Sequence, residues 1–169
     1  VGVIALAEPI MIFIAGEEFI ASAVPLIILS LAVFGLYLGA IFGHVAVSMD
    51  KQKQTMWVYI SGAILTVAGY VYAIPMHGML GAAWMSVVSE LYVGLLLFFV
   101  VRKYLPSPLS MKTLLKIVFS AAIMLSVLIA LPNWHVLIVS LIAAVVYTVC
   151  LLTTRALRKE FVLDLLKRS

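Results

Sequence analysis

The chain is poor in the residues that enzymes and disulfide-bonded domains depend on. Its single cysteine, Cys150, cannot close an intrachain disulfide and, inside an apolar run, reads as a packing residue. There is no Ser-His-Asp set, CxxC, HExxH or phosphate-binding glycine loop. The seven acids and three histidines are scattered without ligand spacing. Enzyme chemistry, a bound metal and a resident cofactor are therefore not expected. Charge is scarce too: 11% of the 169 residues are charged, against 66% hydrophobic. A soluble domain of this size has too little interior to hide so much apolar surface. The net charge of +4 does not point to nucleic acid, because the cations are divided among short breaks between apolar runs.

Those apolar runs are the dominant signal. About 20 apolar residues match the roughly 30 Å hydrocarbon layer at 1.5 Å rise per residue. With no water there, each crossing must satisfy its own backbone, which selects helices. The expected fold is an all-α, polytopic integral membrane bundle with six transmembrane helices. The first is residues 1–15, short enough to read as a truncated helix of a longer chain. The others run from about Ser22 to Val47, Thr55 to Ile74, Met79 to Val101, Leu114 to Leu131 and Val136 to Thr154. Pro25 falls in a first turn, where a missing N–H costs little. Pro106 and Pro108 mark a boundary. The division expected is four helices over 1–101, a cytoplasmic linker over 102–113, a helix pair over 114–154 and a cytoplasmic amphipathic tail over 155–169. In the tail, Leu157, Phe161 and Leu165 recur every four residues, as in a helix lying on headgroups.

The eleven Lys and Arg residues alternate with the breaks. Lys51 and Lys53 lie in one, Arg102, Lys103, Lys112 and Lys116 at another, and Arg155, Arg158, Lys159, Lys167 and Arg168 in the tail. The intervening breaks, Gly16-Glu17-Glu18, Pro75-Met76-His77-Gly78 and Pro132-Asn133-Trp134-His135, have none. Cytoplasmic loops accumulate Lys and Arg, so the basic breaks and the C-terminus are expected on the cytoplasmic side of an inner membrane. Trp57, Tyr104 and Trp134 fit interfacial belts. Membrane lipids are the expected surroundings.

Within the helices, Gly35, Gly39 and Gly43 form a seam that lets another helix approach closely. Ser30, Tyr37 and His44 recur on roughly the opposite face, either lining a cavity or satisfied by neighbouring backbone. Tyr59, Gly62, Thr66 and Tyr70 make a similar stripe, as do Ser140, Tyr147 and Thr154. Hydroxyls on helices often bond back to their own carbonyls, so such stripes are weak signals. Glu90 is the sharpest residue. A charge at mid-bilayer costs about 2.5–3.5 kcal/mol on insertion scales. Around a dozen Leu, Ile, Phe and Val residues, at roughly 0.3–0.6 kcal/mol each, still carry this helix into the membrane. Ala83, Ser86 and Gly94 share its face, which turns Glu90 toward protein. It reads as a proton or cation relay or a substrate contact, or else as a protonated structural acid. Glu8, before the kinking Pro9, falls within the first apolar run.

The segments Gly16-Glu17-Glu18-Phe19, Ala46-Val47-Ser48-Met49-Asp50-Lys51-Gln52-Lys53 and Pro75-Met76-His77-Gly78-Met79-Leu80-Gly81-Ala82-Ala83-Trp84-Met85-Ser86-Val87-Val88-Ser89 extend the reading. The last is the most specific, with the form IPxxGxxGAAWxSVVSE. Together they resemble the C-terminal half of the lipid-linked oligosaccharide (O-antigen type) flippases. These belong to the multidrug/oligosaccharidyl-lipid/polysaccharide exporter superfamily. The resemblance implies helices nine to fourteen of a two-lobed transporter, with an N-terminal half elsewhere. It implies a lipid-linked oligosaccharide as cargo, moved by alternating access. The cationic cavity residues of that family have no counterpart deep in these helices. Multidrug antiporters of the superfamily usually lack the last helix pair. A cation-coupled exporter of small amphiphiles and a non-transporting membrane scaffold are the alternatives.

Overall fold

A computed structural model describes residues 1–105, 111–130 and 136–153, and every regular element among them is helical. Helix α1 (Gly2–Ala5) and helix α2 (Ala7–Ala15) are one apolar run interrupted at Leu6, where φ is −112° and ψ 15°. Pro9 has no N–H to offer the carbonyl of Ala5, so the helical ladder loses a rung at that turn. Leu6 donates to Gly2 and Ile10 to Leu6 on either side of the gap. The single helix expected over 1–15 is thus two.

Gly16, at φ 98°, turns the chain into a 3-10 helix, Glu17–Ser22, which leads into α3 (Ala23–Ser48). Helix α3 ends in a Schellman turn. Lys51 N–H donates to Ala46 O at 2.9 Å and Asp50 N–H to Val47 O at 3.0 Å. Asp50 takes the left-handed position, φ 58°, which Asp tolerates better than most residues. The Lys51 carbonyl then accepts Thr55 N–H at 3.0 Å, opening the next helix.

Helix α4 spans Gln52–Arg102, 51 residues. Straight, it would be about 76 Å long. It is instead a hairpin bent at Gly78, whose φ of 55° and ψ of −133° suit glycine alone. Its arms, 52–77 and 79–102, run antiparallel. Tyr70 Oη meets Ser86 Oγ at 2.8 Å, Tyr92 Oη donates to Ser61 Oγ at 3.3 Å, and Gln54 Nε2 donates to Tyr104 Oη at 3.2 Å. The expected four-residue break over 75–78 is therefore only Gly78, and Pro75, Met76 and His77 stay helical. Pro75 lies in the last turn before the bend.

Helices α5 (Met111–Ala130) and α6 (Val136–Thr153) complete the chain. The predicted features at Pro106, Pro108, Trp134, His135, Thr154 and the 155–169 tail lie outside the described residues, as do the side chains of residues 111–114.

The chain divides into two compact units, Val1–Ile14 with Leu109–Ser169, and Ala15–Pro108. The first helical segment groups with α5 and α6 in this division. Leu6 and Met124 pack around Leu128, Val139 and Ala143 in that unit.

In the other unit, α3 and the second arm of α4 run parallel, joined by the first arm. Among the buried positions of α3, Ile28, Ala32, Gly35, Gly39, Phe42 and Ala46 have spacings alternating between four and three, and Ala23, Pro25 and Gly43 are buried as well. Ala83, Val87, Glu90, Gly94, Leu97 and Val101 follow the same spacing on the arm, and all but the half-buried Glu90 are buried. Ile28 and Ala32 cluster with Ala83 and Val87, and Phe42 and Ala46 with Leu97 and Val101. Such a repeat keeps one stripe of each helix facing its partner, as in a left-handed coiled coil. Phe42 meets Phe98 edge-on, with ring centroids 5.1 Å apart.

Away from this stripe the helices expose large apolar side chains, with Phe34 at 64% and Val71 at 72%. Three helical segments among the described residues are long and apolar enough to cross a membrane: Glu17–Ser48, Gln52–Arg102 and Val136–Thr153. Leu115–Ala130 is a shorter apolar helix. This surface is compatible with a membrane protein.

Candidate functional site

Glu90 sits at the midpoint of the second arm, twelve positions from Gly78 and twelve from Arg102. The arm brings it directly against α3 at Gly35. A Cβ on Gly35 would stand 2.6 Å from the carbonyl carbon of Glu90. One turn on, a Cβ on Gly94 would stand 2.7 Å from the carbonyl oxygen of Gly35 and 3.0 Å from the Cβ of Leu38. Gly35 and Gly94 are therefore the closest approach of the two helices. Gly39 is looser, with its nearest atoms on Gly94 and Val93 at 3.9 Å. Gly43 faces the Tyr59 hydroxyl, 2.9 Å from where a Cβ would be. All three glycines of the α3 seam are buried against α4.

The Glu90 carboxylate makes no hydrogen bond and no ion pair among the described residues, and its oxygens are not sealed from the surface. The expected neighbours Ala83 and Gly94 flank it along the buried stripe. Ser86 does not engage it: its hydroxyl donates to Ala82 O at 3.0 Å, leaving Tyr70 to donate to Ser86. Tyr70 is thereby used to tie the two arms of α4 together. Glu90 thus keeps a partly exposed carboxyl group without a partner among the described residues, midway along an apolar arm.

The remaining candidates do not converge on it. Tyr37, 62% exposed, and His44 point away from α4, opposite the glycine seam, and neither has a hydrogen-bond partner among the described residues. Ser30 donates to its own helix at Ile27 O. Tyr59 packs across Gly43, and Thr66 donates back to Gly62 O at 2.8 Å. Glu8 is exposed on α2. In the first unit, Ser140 and Tyr147 line a cavity of about 440 Å³ with Leu6, Ile10, Met124 and Ala143. His77 lines an apolar groove of about 360 Å³ beside Gly78, with Trp84 and Met85. No group of three or more His, Cys, Asp or Glu comes together among the described residues.

Far from Gly78, the two basic segments of the Ala15–Pro108 unit meet. Lys51 Nζ lies 4.4 Å from the centroid of the Tyr104 ring, and the Arg102 guanidinium 5.9 Å from that of Phe98. The Gln54 amide donated to Tyr104 Oη, helped by Lys51 and Lys103, holds the Tyr104 pKa below the ordinary phenol value. In the sequence Gly94 reads only as a small neighbour of Glu90, not as the point of closest approach to α3, and the Gln54–Tyr104 pair is not singled out. The three-four spacing of small residues on both helices is the signal that would have found Gly94. Nothing local pairs residues fifty positions apart.

The chain matches no known protein-family profile, no curated protein and no solved structure. Its class rests on the fold: an all-helical protein with long apolar helices compatible with a membrane.

Proposed function

We propose that this chain is part of a transporter of the inner membrane that moves a lipid-linked oligosaccharide, carried on undecaprenyl diphosphate, by alternating access. The observation that carries the reading is Glu90: an unpaired carboxylate at the centre of an apolar arm, on the stripe packed against α3. Ionisable residues at membrane depth are costly and serve function by default. The motif around Gly78 and Glu90 resembles the flippases named above, and the last helix pair, which multidrug antiporters usually lack, supports the cargo class. In this reading there are six crossings: α1–α2, α3, the two arms of α4, α5 and α6. The ends carrying Lys51 and Arg102 face the cytoplasm, as does the C-terminus. Gathering of both basic segments at one end of the second unit supports that orientation. An N-terminal half supplies the other lobe and the cavity cations.

An amphiphile with a large charged head needs a polar route, since carrying its charge through hydrocarbon is prohibitive. Glu90 would bias the rocking of the lobes by binding a proton or cation. The test is reconstitution of the full-length parent in liposomes carrying a fluorescent undecaprenyl-diphosphate glycan, with an impermeant quencher outside. Protein-dependent exchange between leaflets is expected. Cation-driven efflux of small amphiphiles with no glycan exchange would move the assignment to a multidrug-type exporter. Neither activity in folded protein would leave a membrane scaffold.

A further inference from the structure

At the end of the Ala15–Pro108 unit remote from Gly78, two cations stand over aromatic rings, Lys51 over Tyr104 and Arg102 over Phe98. Lys51 is fixed twice. Its N–H closes the Schellman turn of α3 on Ala46 O, and its Nζ stands over Tyr104. Tyr104 is fixed in turn, because its N–H donates to Val101 O at 2.9 Å and its hydroxyl accepts from Gln54. Arg102 and Lys103 directly precede it, and Lys53 is exposed nearby. Among the described residues none of these cations pairs with an acid. Asp50, the adjacent carboxylate, is exposed in the turn.

Charges already held in place lose little freedom when an anion arrives. Beside them, Trp57 and Leu105 expose apolar surface, 59% and 43%. A ligand suited to both is an anion carrying hydrocarbon. We propose that this end binds the phosphate of an anionic membrane lipid, with Lys51 and Lys103 supplying charge and the Gln54–Tyr104 pair positioning Lys51. The proposal rests on the membrane-spanning reading above. It goes beyond that reading in assigning a defined headgroup site separate from Glu90 and from the cargo. A phosphate oxygen can face Lys51 Nζ without displacing the ring beneath it. Arg102, stacked on Phe98, is a further donor at the rim.

The test uses the purified full-length protein, exposed to mixed micelles of phosphatidylglycerol and phosphatidylethanolamine, with retained lipid counted by native mass spectrometry. Retention of phosphatidylglycerol over phosphatidylethanolamine is expected, falling about fivefold for each of Lys51→Gln and Lys103→Gln. Lys53→Gln, outside the fixed constellation, should change it less than twofold. Equal losses in all three variants would reduce the site to a diffuse positive surface and overturn the proposal. Displacement of the lipid by millimolar inorganic phosphate would assign the site to a free anion and overturn it too. Release of the protein from membranes by alkaline carbonate would remove the membrane reading, and the proposal with it. Protein that resists carbonate yet shows no lipid preference sinks the headgroup site alone.

Discussion

The backbone of Glu90 lies against Gly35: a Cβ added to that glycine would meet the Glu90 carbonyl carbon and the Leu91 nitrogen, each at 2.6 Å. Backbone cannot swing aside as a side chain can. Gly35→Ala should therefore push α3 off the second arm and destabilise the unit by about 1–3 kcal/mol. Gly39→Ala, with its nearest neighbours at 3.9 Å, should leave stability unchanged. Thermal unfolding in detergent, followed by size-exclusion of the folded fraction, separates the two. Equal behaviour of both variants would mean that the two helices do not pack in this register.

The bend offers two glycines that fail for different reasons. At Gly78 there is nothing within 4 Å of an added Cβ, yet φ is 55°. Gly78→Ala should cost about 1–3 kcal/mol through backbone strain alone. Gly81 has ordinary helical geometry, but its Cβ would collide with the carbonyl of Ala73. Gly81→Ala should therefore disturb the return of the second arm by overlap. Gly69→Ala is the contrast, because its Cβ meets the flexible end of Met85, which can move. Folded yield should fall for Gly78→Ala and Gly81→Ala and hold for Gly69→Ala.

Much of this fold was legible because helices in an apolar chain announce themselves by length and by their breaks. The start of α3 at Ala23 and of α6 at Val136 followed from the ends of apolar runs. Pro9 reads as a kink within one helix, and the full interruption at Leu6 is not foreseen. The bend was placed in the right segment but drawn too wide, since Pro75 suggested an exit from the helix where the chain waits for Gly78. The α3 seam was visible as glycines every four residues. Its true three-four repeat depends on Ile28, Ala32 and Phe42 as well, whose apolar character is lost among so many apolar neighbours. The site was less legible. Glu90 stands out by charge, whereas the engagement of Ser86 by Tyr70 depends on the hairpin and could not be read along one helix.

The arm 52–77 separates Gln52 from His77 by its whole length. If the arm crosses the membrane with the basic end inward, single cysteines at these positions should react with an impermeant maleimide from opposite sides. In intact cells the position-77 cysteine should label and the position-52 cysteine should not, until the membrane is opened. Cys150 is replaced by Ser beforehand. Labelling of both from outside would contradict the six-crossing topology.

Tyr104 should titrate below the ordinary phenol value, because Gln54 donates to its oxygen and Lys51 and Lys103 favour the phenolate. Each interaction favours the charged form, so removing either should move the titration upward. Gln54→Leu is expected to raise the pH at which Tyr104 ionises, and Lys51→Gln to raise it by a smaller amount. Phenolate absorbance, compared with that of a Tyr104→Phe background, reads the shift. A titration unmoved by Gln54→Leu would mean that the amide does not reach the hydroxyl in solution.

Glu90 is the position at which the proposed transport function is best tested. Its carboxylate has no partner among the described residues, while its backbone is pressed onto Gly35. Function and packing at this residue can therefore be separated. Glu90→Gln keeps the volume and the polar end but cannot titrate, so the α3–α4 contact should survive and abundance should stay near wild type. If Glu90 takes up a proton or cation during the cycle, glycan exchange by the full-length parent should fall at least about tenfold, which corresponds to ~1.4 kcal/mol in the limiting step. Its pH dependence should flatten as well, a change that a purely structural role would not produce. Glu90→Leu tests the other side: if the arm spans the membrane, an ionisable group is removed from its centre, so insertion should improve while transport is lost. Full exchange by the Gln variant at normal abundance, with an unchanged pH profile, would exclude Glu90 from coupling and leave it as a spacer on the α3 seam.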